Sequence, residues 1–437
     1  MRNIHIMRKI KRVEIFGFWE DKTVKINFDD NVNFLIGTNG SGKTTIINLV
    51  AACLDADFQT LDKIQFSRIR VVFSNLKGEG NKQTYIEAEK VSKENSLFIS
   101  STNIVFKVKK VDEPEIAINL NEREEDSIYR YHSELLKQRM LFDKMSKSDD
   151  IKSILNSFVN FTWLSINRSN NRRFVEEKGG ESSIDKKIQE LSIDLAKYFG
   201  VLDRRYSIET ERFQKNIFLS LIEDETDRNI FSVVKDLDFE KEKESVKQIF
   251  LLFKLKESEF KNKLERHFKS FEIARQELIK NSSISTKQFA SLTSTQRLHS
   301  IVQEWNILNE KKNDINKPKF TFINEINNLF NNKKIIINDK NELFVVTSSG
   351  KKFDLSQLSS GEKQLFIILG QSLLQENNTH IYIADEPELS LHVEWQEKLV
   401  DCIKNINPNS QIIFATHSPD IVGSYGDYVI DVKNVIK

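Results

Sequence analysis

Gly37-Thr38-Asn39-Gly40-Ser41-Gly42-Lys43-Thr44-Thr45 is the stretch of this chain whose residue types and spacing most directly suggest chemistry. It matches G-x-x-x-x-G-K-[ST], a loop whose backbone N–H groups cradle phosphates. Phe34-Leu35-Ile36 before it and Ile46-Ile47-Asn48-Leu49-Val50 after it supply the strand and helix such a loop needs. Gly37, Gly40 and Gly42 leave the backbone room to close around an anion. Lys43 would reach the β- and γ-phosphates, and the Thr44 hydroxyl would hold Mg²⁺. An ordinary glycine-rich βα turn would share the glycines without the Lys43-Thr44 pair.

Three further constellations lie near the other end of the chain. Leu358-Ser359-Ser360-Gly361-Glu362-Lys363-Gln364 opens an amphipathic helix, offering hydroxyls and N–H groups to an anion. Any N-capped helix would look similar. The apolar His380-Ile381-Tyr382-Ile383-Ala384 ends in Asp385-Glu386. One carboxylate at a strand end can hold a Mg²⁺ shell, and its neighbour can orient and deprotonate a water. The same pair could simply cap a following helix. Gln411-Ile412-Ile413-Phe414-Ala415-Thr416 delivers His417, followed by Ser418-Pro419.

Strands are expected at 10–18, 23–28 and 33–36, again near 69–73, 83–88 and 103–108, and at 161–166. The segment 112–160 reads as polar and partly helical. A Ser-, Asn- and Gly-containing stretch from Arg168 leads into a long region of helical spacing. One row, Ile184, Ile188, Leu191, Leu195, Tyr198 and Leu202, is spaced 4-3-4-3-4. A second runs Val246, Phe250, Phe253, Glu257, Phe260, Leu264, His267, Phe271, Ala274, Leu278. Such spacing fits a coiled-coil arm or a compact helical bundle. Acidic Glu223-Asp224-Glu225-Thr226-Asp227 would be the tip between the rows. A hairpin is expected over 334–337 and 342–346.

Formal net charge is +1, so no basic field advertises nucleic acid. Residues 241–320 carry 17 basic and 10 acidic side chains, a local excess that a solvated helix face would also show. Two cysteines fit a reducing cytosol. No signal peptide and no long apolar run is present, so a cytoplasmic chain without a membrane partner is expected.

GTNGSGKT, LSSGEKQ, IADEPELSLH and ATHSP, in that order around a helical insert, resemble the ABC-type ATPase heads of the SMC/RecF/RecN/OLD group. Val13-Glu14-Ile15-Phe16-Gly17-Phe18 resembles that group's opening strand, with Gly17 where an asparagine is usual. The closing motifs look most like stand-alone ATPases of bacterial anti-phage systems such as PARIS and Septu. The resemblance implies an α/β, two-lobed ATPase head with a mixed sheet. The N-terminal lobe would cover 1–168, a coiled-coil-like helical insert 169–330, and the C-terminal lobe 331–437.

It also implies ATP and Mg²⁺ as cofactors. Gly37 to Thr45 would form the phosphate loop, with Lys43 also catalytic. Asp385 would join Thr44 at the metal, Glu386 would be the general base, and His417 would sense the γ-phosphate. Ser359, Ser360 and Gly361 would contact ATP held by a second subunit, making a homodimer or higher oligomer with shared sites. Glu388-Leu389-Ser390 would cross between those sites. Arg168 stands roughly where a Q-loop glutamine is usual, and its role stays open.

Three function classes compete. The preferred one is an ATPase switch controlling a nuclease or toxin supplied in trans, under a phage-encoded trigger. A RecF- or RecN-like DNA-repair clamp, with nucleic acid as partner, is the alternative. A transporter subunit fits poorly, because Ser360 replaces the first glycine of the transporter signature and a long insert interrupts the domain. Twenty residues follow His417 in this sequence, too few for the metal-dependent nuclease that OLD-type proteins append. The effector is therefore expected on another chain.

Overall fold

The structure, a computed structural model, describes residues 7–76, 78–80, 82–92, 102–119, 149–165, 183–220, 237–280 and 285–437. Arg168 and the acidic stretch 223–227 lie outside these residues. The chain divides into two compact units, Met1–Ala196 with Thr321–Lys437, and Lys197–Phe320.

Among the described residues of the first unit, strands form three sheets. A parallel sheet has the order β14 (Val429–Asp431), β3 (Val32–Ile36), β13 (Ser410–Ala415), β12 (His380–Asp385), β8 (Phe161–Ser165). Its central strands are apolar on both faces, as a sheet covered on both sides requires. An antiparallel sheet runs β2 (Lys22–Asn27), β1 (Ile10–Phe18), β4 (Arg68–Phe73), β5 (Tyr85–Ser92), β6 (Thr102–Lys109), β7 (Ile116–Asn119). β9 (Lys333–Ile337) and β10 (Leu343–Thr347) form the expected hairpin, and β11 (Lys352–Phe353) joins it.

Helix α1 (Lys43–Leu54) lies between the two larger sheets, and ten of its twelve residues are buried. A helix apolar on all sides can only sit inside. The buried Gln411 ties the sheets together: its side chain accepts from the Ile10 N–H at 2.8 Å and donates to the Ile10 and Asp29 carbonyls at 2.7 Å each. α2 (Phe58–Lys63) follows α1. Gly17 adopts φ +65°, where the register of β1 on β2 shifts between Ile15 and Phe18. A Cβ there would also strike Ser67. The departure from the usual asparagine thus serves a bulge that favours glycine.

The helices between the lobes are α3 (Ser183–Ser220), α4 (Phe239–Leu252), α5 (Glu257–Ile279) and α6 (Thr286–Leu329). Within Lys197–Phe320 all four contribute to one core, through Phe213, Val246, Ile249, Phe260, Leu264, Phe268, Val302 and Leu308. The bulk of phenylalanine suits a core shared by four helices. The α/β class and the helical insert expected from the sequence are both present.

Two local expectations are corrected. The second row is not one helix: α4 ends before Phe253, Lys254 turns with φ +60°, and Glu259 caps the start of α5 by accepting from the Lys256 N–H at 2.6 Å. Phe268, not His267, fills the core. Residues 149–156 are helical, as expected within 112–160, and residues 116–119 add an edge strand on β6.

α7 (Ser360–Leu373), α8 (Val393–Ile406), α9 (Pro419–Val422) and α10 (Val432–Val435) complete the first unit. α7 covers the sheet face opposite α1, where the Tyr382 hydroxyl donates to the Ile368 carbonyl at 3.3 Å. Among the described residues, no helix is long and apolar enough to cross a membrane.

Candidate nucleotide site

Register decides which motifs meet. Asp385 pairs with Ala415, and Ala415 with Leu35, so β12, β13 and β3 end side by side. Glu386, His417 and Gly37, each just past one of these strands, therefore share the carboxyl edge of a parallel sheet, where ligands of α/β folds bind.

The phosphate loop is built by its own backbone. Gly42 is the N-cap of α1 at φ +96°, and no side chain caps that helix. Its first N–H groups and the positive end of its dipole are thus directed at the loop. Thr38, Asn39 and Gly40 are exposed, while Ser41 and Thr45 are half-buried. A Cβ on Gly37 would lie 2.6 Å from the Ser41 hydroxyl, so the close turn needs glycine there. That hydroxyl is buried and has no hydrogen-bond partner, as suits a group awaiting a polar ligand.

Lys43 is buried, and its ammonium donates to the Gly37 carbonyl at 2.7 Å and the Thr38 carbonyl at 3.3 Å. Burial lowers its pKa, while Glu386, Asp385 and Glu388 pull it back up. The Thr44 hydroxyl donates to Asp385 Oδ1 at 3.1 Å. A hydroxyl and a carboxylate oxygen side by side suit Mg²⁺, which takes few protein ligands and completes its shell with phosphate and water. Glu386 has φ +51°, an uncommon conformation for its residue type, held by its N–H on the Ala415 carbonyl at 2.8 Å. His417 Nε2 lies 3.8 Å from Glu386 Oε1, and both side chains are partly exposed.

Ser359, Ser360 and Gly361 stand elsewhere, at the start of α7. The Ser359 hydroxyl donates to Glu362 Oε2 at 2.8 Å and accepts from the Glu362 N–H at 3.4 Å, a capping box. A Cβ on Gly361 would overlap the Ser390 carbonyl oxygen. The Trp395 ring also lies against Gly361.

Sequence reasoning missed the polar struts behind the site. Gln364 Nε2 donates to the Pro387 carbonyl at 2.6 Å, fixing the turn after Glu386. Glu388, in the loop expected to cross between sites, turns its Oε1 to Thr416, His417 and Ser418 of its own chain. The signal was present only as a third acid two residues beyond Glu386.

With this geometry in view, comparison with known proteins gives a family. The model described as "AAA domain, putative AbiEii toxin, Type IV TA system" matches residues 32–423. The chain belongs to that family. A retron Vc95 probable ATPase from Vibrio cholerae is 22% identical over 98% of this chain and 73% of that protein. The Septu protein PtuA of Bacillus thuringiensis is 33% identical, over 19% of this chain and 24% of its own. A DNA double-strand break repair Rad50 ATPase from Sulfolobus acidocaldarius is 31% identical over 29% of this chain and 15% of that protein. The Smc head domain of Pyrococcus furiosus covers 95% of this chain at 14% identity and a TM-score of 0.39. Family membership and the retron and Septu relatives bear out the resemblance drawn from the motifs.

Proposed function

We propose that this chain binds ATP with Mg²⁺ and hydrolyses it, and that the cycle switches an anti-phage system whose nuclease or toxin is a separate protein. The observation that carries the ATPase reading is the shared sheet edge. It sets an uncapped helix N-terminus and a buried lysine beside a Thr44–Asp385 pair and a Glu386–His417 pair.

Lys43 and the first N–H groups of α1 would bind the β- and γ-phosphates, and Thr44 and Asp385 would hold Mg²⁺. Bound Mg²⁺ neutralises charge on the phosphate oxygens. Glu386 Oε1 would take the proton of the attacking water, and His417 would contact the γ-phosphate. Ser359, Ser360 and Gly361, at the start of a capped helix, would complete the site of a second copy. Glu386→Gln should bind ATP yet hydrolyse it at least roughly a hundredfold more slowly. Equal rates in the variant and the parent would remove Glu386 from the base role.

The shared site has its own test. Lys43→Ala and Ser359→Arg chains, each inactive alone, should regain part of the activity when mixed. Mixed dimers without recovery would argue against sharing.

The defence reading is preferred to DNA repair because the retron likeness runs over 98% of this chain and the Rad50 likeness over 29%. Co-purification of a nuclease or toxin from the neighbouring gene, dependent on ATP, would support it. A repair gene in that place would sink it.

A further inference from the structure

We propose that Glu388 is a positioning residue whose carboxylate sets the stance of His417 toward Glu386; the proposal rests on ATP hydrolysis at this site. Three donors converge on its Oε1: the Thr416 hydroxyl at 2.6 Å, the His417 N–H at 2.9 Å and the Ser418 N–H at 3.3 Å. All three belong to the turn that leaves β13, so one side chain holds the whole turn.

The same turn has a second support. The Ser418 hydroxyl donates to Gln396 Oε1 at 2.6 Å, and Gln396 Nε2 donates to the Leu391 carbonyl at 2.9 Å. Both struts come from the segment after Glu386, so the base and the histidine are braced by one stretch of chain. The His417 ring itself lies 3.8 Å from Glu386 and is 37% exposed. The bond to Glu388 is made by the His417 backbone N–H, so Glu388 acts on where the ring starts from.

Charge is what this position asks for. Backbone N–H groups bind an ionised carboxylate more tightly than a neutral acceptor, and three donors on one oxygen suit an atom carrying negative charge. Glu388 Oε2 is buried with no hydrogen-bond partner. In Glu388→Gln the amide nitrogen must either face those donors or occupy that partnerless place. The glutamine variant should accordingly fall between the parent and Glu388→Ala.

The test measures kcat and KM for ATP in the parent, Glu388→Ala, Glu388→Gln, His417→Ala and the Glu388→Ala/His417→Ala double variant. Glu388→Ala should lower kcat about tenfold to a hundredfold, the size expected of a small misplacement, with KM changed less than twofold. The double variant should be no slower than His417→Ala, since Glu388 then has nothing left to position. Additive losses, or a loss in KM alone, overturn the proposal. If Glu388→Ala does not fold, a folded Glu388→Gln with the parent's kcat overturns it equally. The His417 imidazole resonance reads the same geometry without turnover. It should shift in both Glu388 variants, and an unmoved resonance refutes the positioning role. Failure of the ATPase reading would look different, as turnover in the parent that Lys43→Ala leaves unchanged.

Discussion

The two units bury polar groups for different ends. In the unit that carries the sheets, buried polar side chains hold loops in place: Gln411 bonds Ile10 and Asp29, Asn407 bonds Gln375 and the Asn378 carbonyl, and Gln364 bonds Pro387. In Lys197–Phe320 the core mixes aromatic and aliphatic side chains, and buried Glu242 meets His299 from another helix at 3.1 Å. Helices satisfy their own backbone groups, so packing their faces together suffices. Loops at a strand edge do not, and each needs side chains to hold it. Chemistry has gathered where the struts are.

Three measurements would break or sharpen that contrast. The largest effect is expected for Lys43→Ala, which removes, among the described residues, the cation bonded inside the loop. Calorimetry should detect no ATP binding, while urea unfolding of the helical unit stays unchanged. Next comes Phe268→Ala, which empties a fully buried ring site. It should cost the helical unit about 3–5 kcal/mol and leave ATP affinity within a few-fold. A large loss of affinity would show that the units are energetically one.

The smallest effect concerns pH. His380 Nε2 lies 2.7 Å from Thr162 Oγ1, and burial pushes the imidazole pKa down to about 4. As pH falls from about 6.5, the unfolded chain takes up a proton that the folded chain refuses, so stability drops. The full contribution is present above pH 6.5, and up to about 3 kcal/mol is lost on reaching pH 4. Melting temperature followed from pH 7.5 to 4.5 should fall less steeply in His380→Gln. An identical slope would remove His380 from this role.

Most of the sheet-bearing unit was legible because its signals are local. Short apolar runs gave β3, β12 and β13 nearly to the residue, and Gly37 to Thr45 announced a loop. The break after Phe253 was not, because Lys254 takes a left-handed φ with no glycine or proline to mark it. β7 escaped because Ile116–Asn119 is short and exists by pairing with β6. Glu388 escaped for a related reason: its partners are 28 to 30 positions away, at Thr416, His417 and Ser418.

The place of β3 in its sheet has a consequence for how the protein is made. Its two neighbours are β13 and β14, which the ribosome adds almost four hundred residues later. Until then the strand that carries the phosphate loop has an unpaired edge on each side. Sheet closure across so long a separation makes for slow folding, and exposed apolar strands invite aggregation meanwhile. On the proposed function, nucleotide could not assist the early stages, because the sheet edge that would bind it is among the last to form.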